Sequence, residues 1–293
     1  VSFLDRVQAL PTLGIGVSTE YGAADSPGAL DPLALHRAHP GRAAFLELGI
    51  ETAKGLDETS HAWLEAGLPV TYHFLDINLD EPEEMDSTWL SELQALLDRT
   101  KPAWVCGDAG LWHLGRRERG HMLLLPPILT DESATAMAEG ITRLRDAIGY
   151  EVLPENPPGA VFIGDMHLLD YFACLAERAD TGLVLDCAHL AIYQRTMGHQ
   201  PLDGLSDFPM ERVVEVHVAG GSERESHGLP WVEDDHTTDV LPDTWAILEA
   251  VASRATNLKA VVFECERNST EDVVPGLEEI AARVAQTPAG GAG

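Results

Sequence analysis

The sequence predicts a single parallel barrel of the (β/α)8, or TIM, class, and three observations lead there. Short apolar runs rich in Val, Ile, Leu and Phe alternate with longer segments of helical character, the pattern of βα units feeding a parallel sheet. Eight such runs fit within 293 residues, and α/β barrels commonly use about 250 residues as one domain. Residues of metal-ligand type recur at the C-terminal ends of the runs: Glu47, His73, Asp108, Glu155, Asp186, His217 and Glu264. In a parallel barrel all strands end at one rim, so these side chains converge on one pocket. Carboxylates and imidazoles gathered there indicate a metal site.

The predicted strands, in order, are 13–19, 43–49, 69–74, 103–110, 150–155, 181–186, 212–219 and 258–266. The fifth runs into Pro154-Glu155-Asn156-Pro157-Pro158. Regular alternation would turn Glu155 and Asn156 apart, but a following proline twists the exit and brings both to the pocket. An ordinary Asn-Pro turn would read the same way. The sixth strand gives Leu185-Asp186-Cys187-Ala188-His189, with the acid closing the strand and His189 opening a loop. On the seventh, Glu215 and His217 share parity and face the interior together. A Glu that deep must be paired or metal-bound. His217 alone reads as either a hydrogen-bonded structural histidine or a ligand, and the other rim residues favour the ligand. The last strand offers Glu264 and Glu266 on one face, either able to bridge two metals.

Helices are expected near 59–66, 90–97, 132–148, 166–178, 243–253 and 271–286. Leu90, Leu93, Leu96 and Leu97 fall at three- and four-residue spacings, as a helix with one buried face requires. Asp131 or Ser133 suits the start of the 132–148 helix, and Ser269 precedes Glu271 and Asp272 in a first turn that favours acids. Segments 20–30, 109–130, 190–211 and 220–242 lack clear periodicity, follow strands and therefore lie on the catalytic side. Asp234-Asp235-His236 belongs to the last of them, either solvated or metal-binding. Residues 1–286 form the expected barrel domain and 287–293 a flexible tail.

A formal net charge of -29 argues against nucleic-acid and anionic-membrane partners and suits solubility, a salt-adapted host, or attraction of a basic peptide or metal cations. With no apolar stretch long enough to span a bilayer and no signal-peptide pattern, a cytoplasmic location is expected. Cys106, Cys174, Cys187 and Cys265 show no close pairing and read as reduced and structural. Cys187 and Cys265 follow inward-facing acids and so should point to the surrounding helices. No G-x-S-x-G elbow and no Gly-rich phosphate loop occurs.

These motifs, in this order, resemble the multinuclear non-heme iron-dependent oxidative enzymes, the family that includes peptide-modifying enzymes of methanobactin and thioether-peptide biosynthesis. The resemblance runs through Gly14-Ile15-Gly16-Val17, Phe45-Leu46-Glu47, Pro69-Val70-Thr71-Tyr72-His73 and Leu124 to Glu132. It continues in Glu155-Asn156-Pro157, Leu185-Asp186, Arg212 to Gly220, Asp234-Asp235-His236 and Phe263-Glu264. It implies a xylose-isomerase-like barrel holding two or three irons, using dioxygen to oxidise a peptide or small biosynthetic substrate, often with a separate partner protein that presents the substrate. Carried over residue by residue, it implies metal ligands or close neighbours at His73, Glu155, Asn156, Asp186, His217, Asp234, His236 and Glu264. His189 joins them as a shifted histidine, and Glu215, Glu266 and Asp108 are expected to assist catalysis.

The chain departs from the family pattern at Gly49, at Gly107-Asp108, at Ala188-His189 and at Gly221. Fewer imidazoles suggest a cluster of one or two metals. Three readings follow: an iron- and dioxygen-dependent oxidase, a redox-neutral isomerase, epimerase or hydrolase using another divalent metal, and a metal-poor binding protein.

Overall fold

The computed structural model describes residues 1–81, 85–114 and 123–285. Eight parallel strands close a barrel: β1 (Gly14–Glu20), β2 (Leu46–Ile50), β3 (Val70–Phe74), β4 (Val105–Asp108), β5 (Val152–Glu155), β6 (Leu183–Asp186), β7 (Val213–Ser226) and β9 (Ala260–Glu264). Each pairs with the next, β7 pairs with β9, and β9 returns to β1. The eighth strand in chain order, β8 (Leu229–Thr237), lies antiparallel on the far half of β7. Most strands begin one to three residues later than periodicity suggests, because hydrogen bonding to a neighbour defines a strand and apolar sequence extends beyond it. The tail at 287–293 lies outside the described residues.

The helices are α1 (Phe3–Arg6), α2 (Pro32–Ala38), α3 (Glu58–Glu65), α4 (Ser87–Thr100), α5 (Asp131–Ile148), α6 (Leu168–Ala179), α7 (Cys187–Met197), α8 (Pro242–Ala252) and α9 (Thr270–Ala285). On α4, Trp89, Leu93, Leu97 and Thr100 form the buried stripe, and Asp86 caps the first turn through Thr88 and Trp89 N–H groups at 2.9 and 3.0 Å. On α5 the cap is Thr130, one residue before Asp131 and three before Ser133. Its extended backbone lets the hydroxyl accept from Ser133 N at 3.3 Å, while Asp131 and Glu132 occupy the first turn. Among the described residues no helix is long and apolar enough to cross a membrane.

Two segments expected to be irregular are regular. Part of 190–211 is α7, whose residues from Cys187 to Gln194 are all buried. A helix covered all round has no polar face and therefore no 3.6-residue signal. Much of 220–242 is the β7–β8 hairpin, turned at His227-Gly228 with both residues at positive φ (53° and 78°), as two-residue hairpin turns favour. Its strands carry polar residues on both faces, so no alternation betrays them.

Two apolar layers hold the barrel. The larger lies between strands and helices and takes in Cys187 and Cys265, which point outward as expected. The smaller fills the lower lumen: Phe45, Trp104, Leu153, Val184, Val214 and Val262 stack on Phe3 and Val7, which plug the base. Burying one such side chain contributes about 1.5–3 kcal/mol. A register shift pairs Leu183 with Val213 but Val184 with Glu215. The extra residue, Val214, joins the plug, and Glu215 and His217 still face inward.

Candidate metal centre

Above the apolar plug the lumen turns polar. His73, Asp108, Glu155, Asp186, His217 and Glu264 are each within two residues of their strand's C-terminal end or, on β7, of the point where it leaves the barrel, and all are at least nine-tenths buried. Glu155 sits at the centre, with Oε2 2.9 Å from His73 Nε2 and Oε1 3.0 Å from His217 Nδ1. Asp108 approaches His73 at 3.7 Å and His189 at 3.6 Å. Glu264 lies 3.7 Å from His217 Nδ1 and 3.8 Å from His236 Nε2.

Local folding explains how several of these are aimed. Asp186 ends β6 and caps α7: its Oδ1 accepts from His189 N at 2.5 Å, which leaves Oδ2 facing the cluster. His189 is thereby in the first turn of a helix, not in a loop. Its Nδ1 stands 2.9 Å from Asn156 O and its Nε2 2.9 Å from Asp234 Oδ2. The Asn156 amide binds the Asp186 main chain from both sides, accepting from its N–H at 3.0 Å and donating to its carbonyl at 2.9 Å. It therefore fixes β6 against β5.

Asp234 and His236 reach the site from β8, not from a loop. Gly220 pairs with Thr237 and Gly221 with Asp234, so Asp235 and His236 bulge out of register. His236 takes φ 49°, an unusual backbone for a non-glycine residue that turns its ring inward. Its Nδ1 lies 2.9 Å from Glu266 Oε1 and its Nε2 3.4 Å from Asp234 Oδ2. Glu266 in turn accepts from Ser18 Oγ at 3.2 Å.

Glu215 is deeper, fully buried, and accepts from Trp104 Nε1 at 2.6 Å, so it does not line the pocket. Residues that sequence reasoning passed over include Ser18, Trp112 and Leu124, which form walls of the pocket with Leu75. Ser18 shares parity with Gly16, a signal that was present. Trp112 is set by Asn78, whose Oδ1 accepts from Trp112 N at 2.7 Å, a contact across 34 residues with no sequence signature.

Two glycines have steric causes: Gly107, in a departure from the family pattern, and Gly220, in the matched pattern. Gly107 stands at φ +153°, and a Cβ there would meet the Phe74 ring at 2.6 Å, so β4 presents only Asp108. A Cβ on Gly220 would meet Thr237 O at 2.2 Å, so the bulge requires glycine.

Eight carboxylates (Glu47, Asp108, Glu155, Asp186, Glu215, Asp234, Glu264 and Glu266) surround the four imidazoles of His73, His189, His217 and His236. The acids outnumber the imidazoles two to one, so the cluster shares protons among its acids unless a cation takes their place. Burial opposes charge on His73, but its hydrogen bond to Glu155 and the charges of Glu47 and Asp108 lift it to about 9. Burial, then Glu155, pushes Asp108 up to about 8 against His189 and His73. Burial also raises Glu264, despite His236 and His217. Glu155 goes the other way: burial opposes its charge, yet His217 and His73 hold it well below the usual carboxylate range. Asp108 Oδ1, Asp186 Oδ2, Asp234 Oδ1 and Glu264 Oε2 are buried without a hydrogen-bond partner, and Glu155 Oε1 and His217 Nδ1 meet each other at 3.0 Å. Buried ligand atoms of this kind, converging among many acids, fit a cation.

The barrel is similar to solved xylose-isomerase-like structures. One is a xylose isomerase-like TIM barrel protein from Mycobacterium smegmatis in complex with magnesium, at TM-score 0.57 and 11% identity over 95% of this chain and 99% of that one. Another is a D-psicose 3-epimerase in the presence of D-fructose, at TM-score 0.54 and 10% identity over 94% of this chain and 100% of that one. At such identity the likeness is one of fold, and it defines a xylose-isomerase-like TIM barrel.

Among sequence relatives, the UPF0276 protein RB0508 of Rhizobium meliloti (strain 1021) is 28% identical over 213 residues, 71% of this chain and 68% of the relative. A UPF0276 protein of Caulobacter vibrioides (strain NA1000 / CB15N) is 27% identical over 218 residues, 74% of each. The model of the RiPP precursor modification enzyme family MbnB/TglH/ChrH matches residues 33–287, and the chain belongs to that family.

Proposed function

We propose that this chain is a non-heme iron-dependent enzyme that uses dioxygen to oxidise a peptide at the rim cluster. The observation that carries the reading is the convergence of buried donors: Glu155, Asp186 and His217 bring ligand atoms within 4.8 Å of one another, and Asp186 Oδ2 has no hydrogen-bond partner. Leaving such a group unsatisfied costs about 1–3 kcal/mol, and a cation removes that cost. In this reading Glu155, Asp186, His217 and Glu264 hold one iron, and His189, Asp234 and His236 a second. His73 and Asp108 flank Glu155 on its other side. Iron supplies one-electron chemistry with dioxygen as oxidant.

The chain's own residues orient and shield. Glu266 holds His236 Nδ1, which directs Nε2 to the cluster. Asn156 holds the Asp186 main chain. Leu75, Trp112 and Leu124 give apolar walls to a cavity of about 200 Å³. That is smaller than the roughly 300–1,000 Å³ of small-molecule pockets, so it suits one side chain of a peptide whose remainder stays outside. Family membership supports a peptide substrate, and a separate protein that presents the peptide is part of this proposal.

Metal analysis of protein made with iron supplementation and purified without oxygen tests the reading. About two irons per chain are expected, as paired-metal sites hold, together with oxygen uptake on adding substrate peptide. His217→Ala should lower the metal content and abolish turnover; unchanged metal and rate would remove His217 from the site. The rim donors are all oxygen and nitrogen, which manganese, zinc and magnesium also accept. Such a metal alone, with no oxygen uptake, would favour a redox-neutral isomerase or hydrolase.

A further inference from the structure

Below the rim cluster a second set of donors meets inside the barrel. Glu47 of β2, Cys106 of β4 and Glu215 of β7 each bring a ligand atom within 4.8 Å of the others, and all three are buried. Cys106 Sγ lies 3.3 Å from Glu47 Oε2. His217 turns its other nitrogen this way, with Nε2 3.2 Å from Glu47 Oε2 and 4.0 Å from Glu215 Oε1. Tetrahedral coordination with bonds of about 2.0–2.3 Å separates its donors by roughly 3.3–3.8 Å, close to these spacings.

One of the atoms is an orphan: Trp104 Nε1 holds Glu215 Oε2, which leaves Oε1 with no hydrogen-bond partner, and His217 Nε2 meets only acids. Both residues are fully buried; Glu215 groups with Glu47 and Cys106, and His217 Nε2 lies against Glu47 from above. Phe45, Leu153, Phe3 and Val7 close the lumen beneath. Nothing in the oxidative chemistry of the rim calls for a thiol here.

We propose that Glu47, Cys106, Glu215 and His217 Nε2 form a separate, thiolate-containing site for a borderline-soft divalent cation such as zinc, with all four positions filled by protein. His217 then links the two levels through its two ring nitrogens. The cation displaces the thiol proton, as coordinating thiols lose theirs, and when both levels hold metal the His217 ring proton is released to solvent as well, leaving an imidazolate bridge; a closed four-donor shell gives the cation a structural role. The site does not depend on which metal the rim holds.

The test is X-ray absorption on purified protein loaded with zinc, paired with cobalt substitution. One sulfur scatterer at about 2.3 Å from zinc and a thiolate-to-cobalt charge-transfer band are expected in the wild type and in Cys174→Ser. In Cys106→Ser both signals should vanish and the metal content should fall by one ion per chain. A wild-type protein with full metal content but no sulfur scatterer would overturn the proposal, whether or not Cys106→Ser folds. A band that survives in Cys106→Ser would overturn it too. Sulfur-bound zinc in protein that was made with iron supplementation and still holds no rim iron would support this site while removing the oxidase reading.

Discussion

Asp186 illustrates how much one side chain does here: one oxygen caps α7 and the other faces the cluster. Its position depends on Asn156, which clips the Asp186 backbone with two hydrogen bonds. Asn156→Ala strands a buried N–H and a buried carbonyl, so a loss of about 1–3 kcal/mol per group is expected, read by denaturant unfolding. Bound metal should fall in the same variant; a stable variant with full metal would show that the clip is dispensable. The titrating groups give a second prediction. Burial pushes Asp108 up to about 8, and the acids around His73 outweigh burial to lift it to about 9, so both hold protons at neutral pH. A cation on Glu155, which they flank, favours their deprotonated forms, so affinity should tighten as pH rises through this range and weaken on acidification. Proton release on metal addition, followed with an indicator dye, should be positive at pH 7; none would contradict the placement of His73 and Asp108 beside the cation.

The hairpin is the element on which the second half of the cluster depends. Its bulge delivers Asp234 and His236, and Gly220 makes the bulge possible by letting Thr237 O approach. Gly220→Ala forces the strands apart, with an expected cost of about 1–3 kcal/mol. Because the plug and outer core are untouched, the variant should fold and retain rim metal held by Glu155, Asp186, His217 and Glu264 while losing the part held by Asp234 and His236. Retention of all metal would show that the bulge tolerates a side chain. Neither this hairpin nor α7 was legible in the sequence. The hairpin's polar strands carry no alternation, and α7 is buried on every side, so the patterns on which such reading depends are absent. The strands that alternate with amphipathic helices were legible for the opposite reason. Site residues at strand ends were readable because a parallel barrel makes sequence position a proxy for depth; Trp112, placed by a distant amide, was not.

At the scale of the molecule, the formal charge of -29 is large for 293 residues. Like charges repel in the compact state and salt screens them, so the melting temperature should rise between low and molar sodium chloride, by roughly 2–4 °C for each kcal/mol gained. A flat response would place the acids in pairings that already neutralise one another. The barrel also has a definite top and bottom. Phe3 and Val7, with the aromatic and aliphatic residues stacked on them, stopper the lower end, and Leu75, Trp112 and Leu124 line the pocket above. Among the described residues the shaft therefore has no outlet through the base of the barrel by which one molecule could leave as the next arrives. Product and fresh substrate then share the rim side, which makes departure a candidate for the slow step and product a competitive inhibitor.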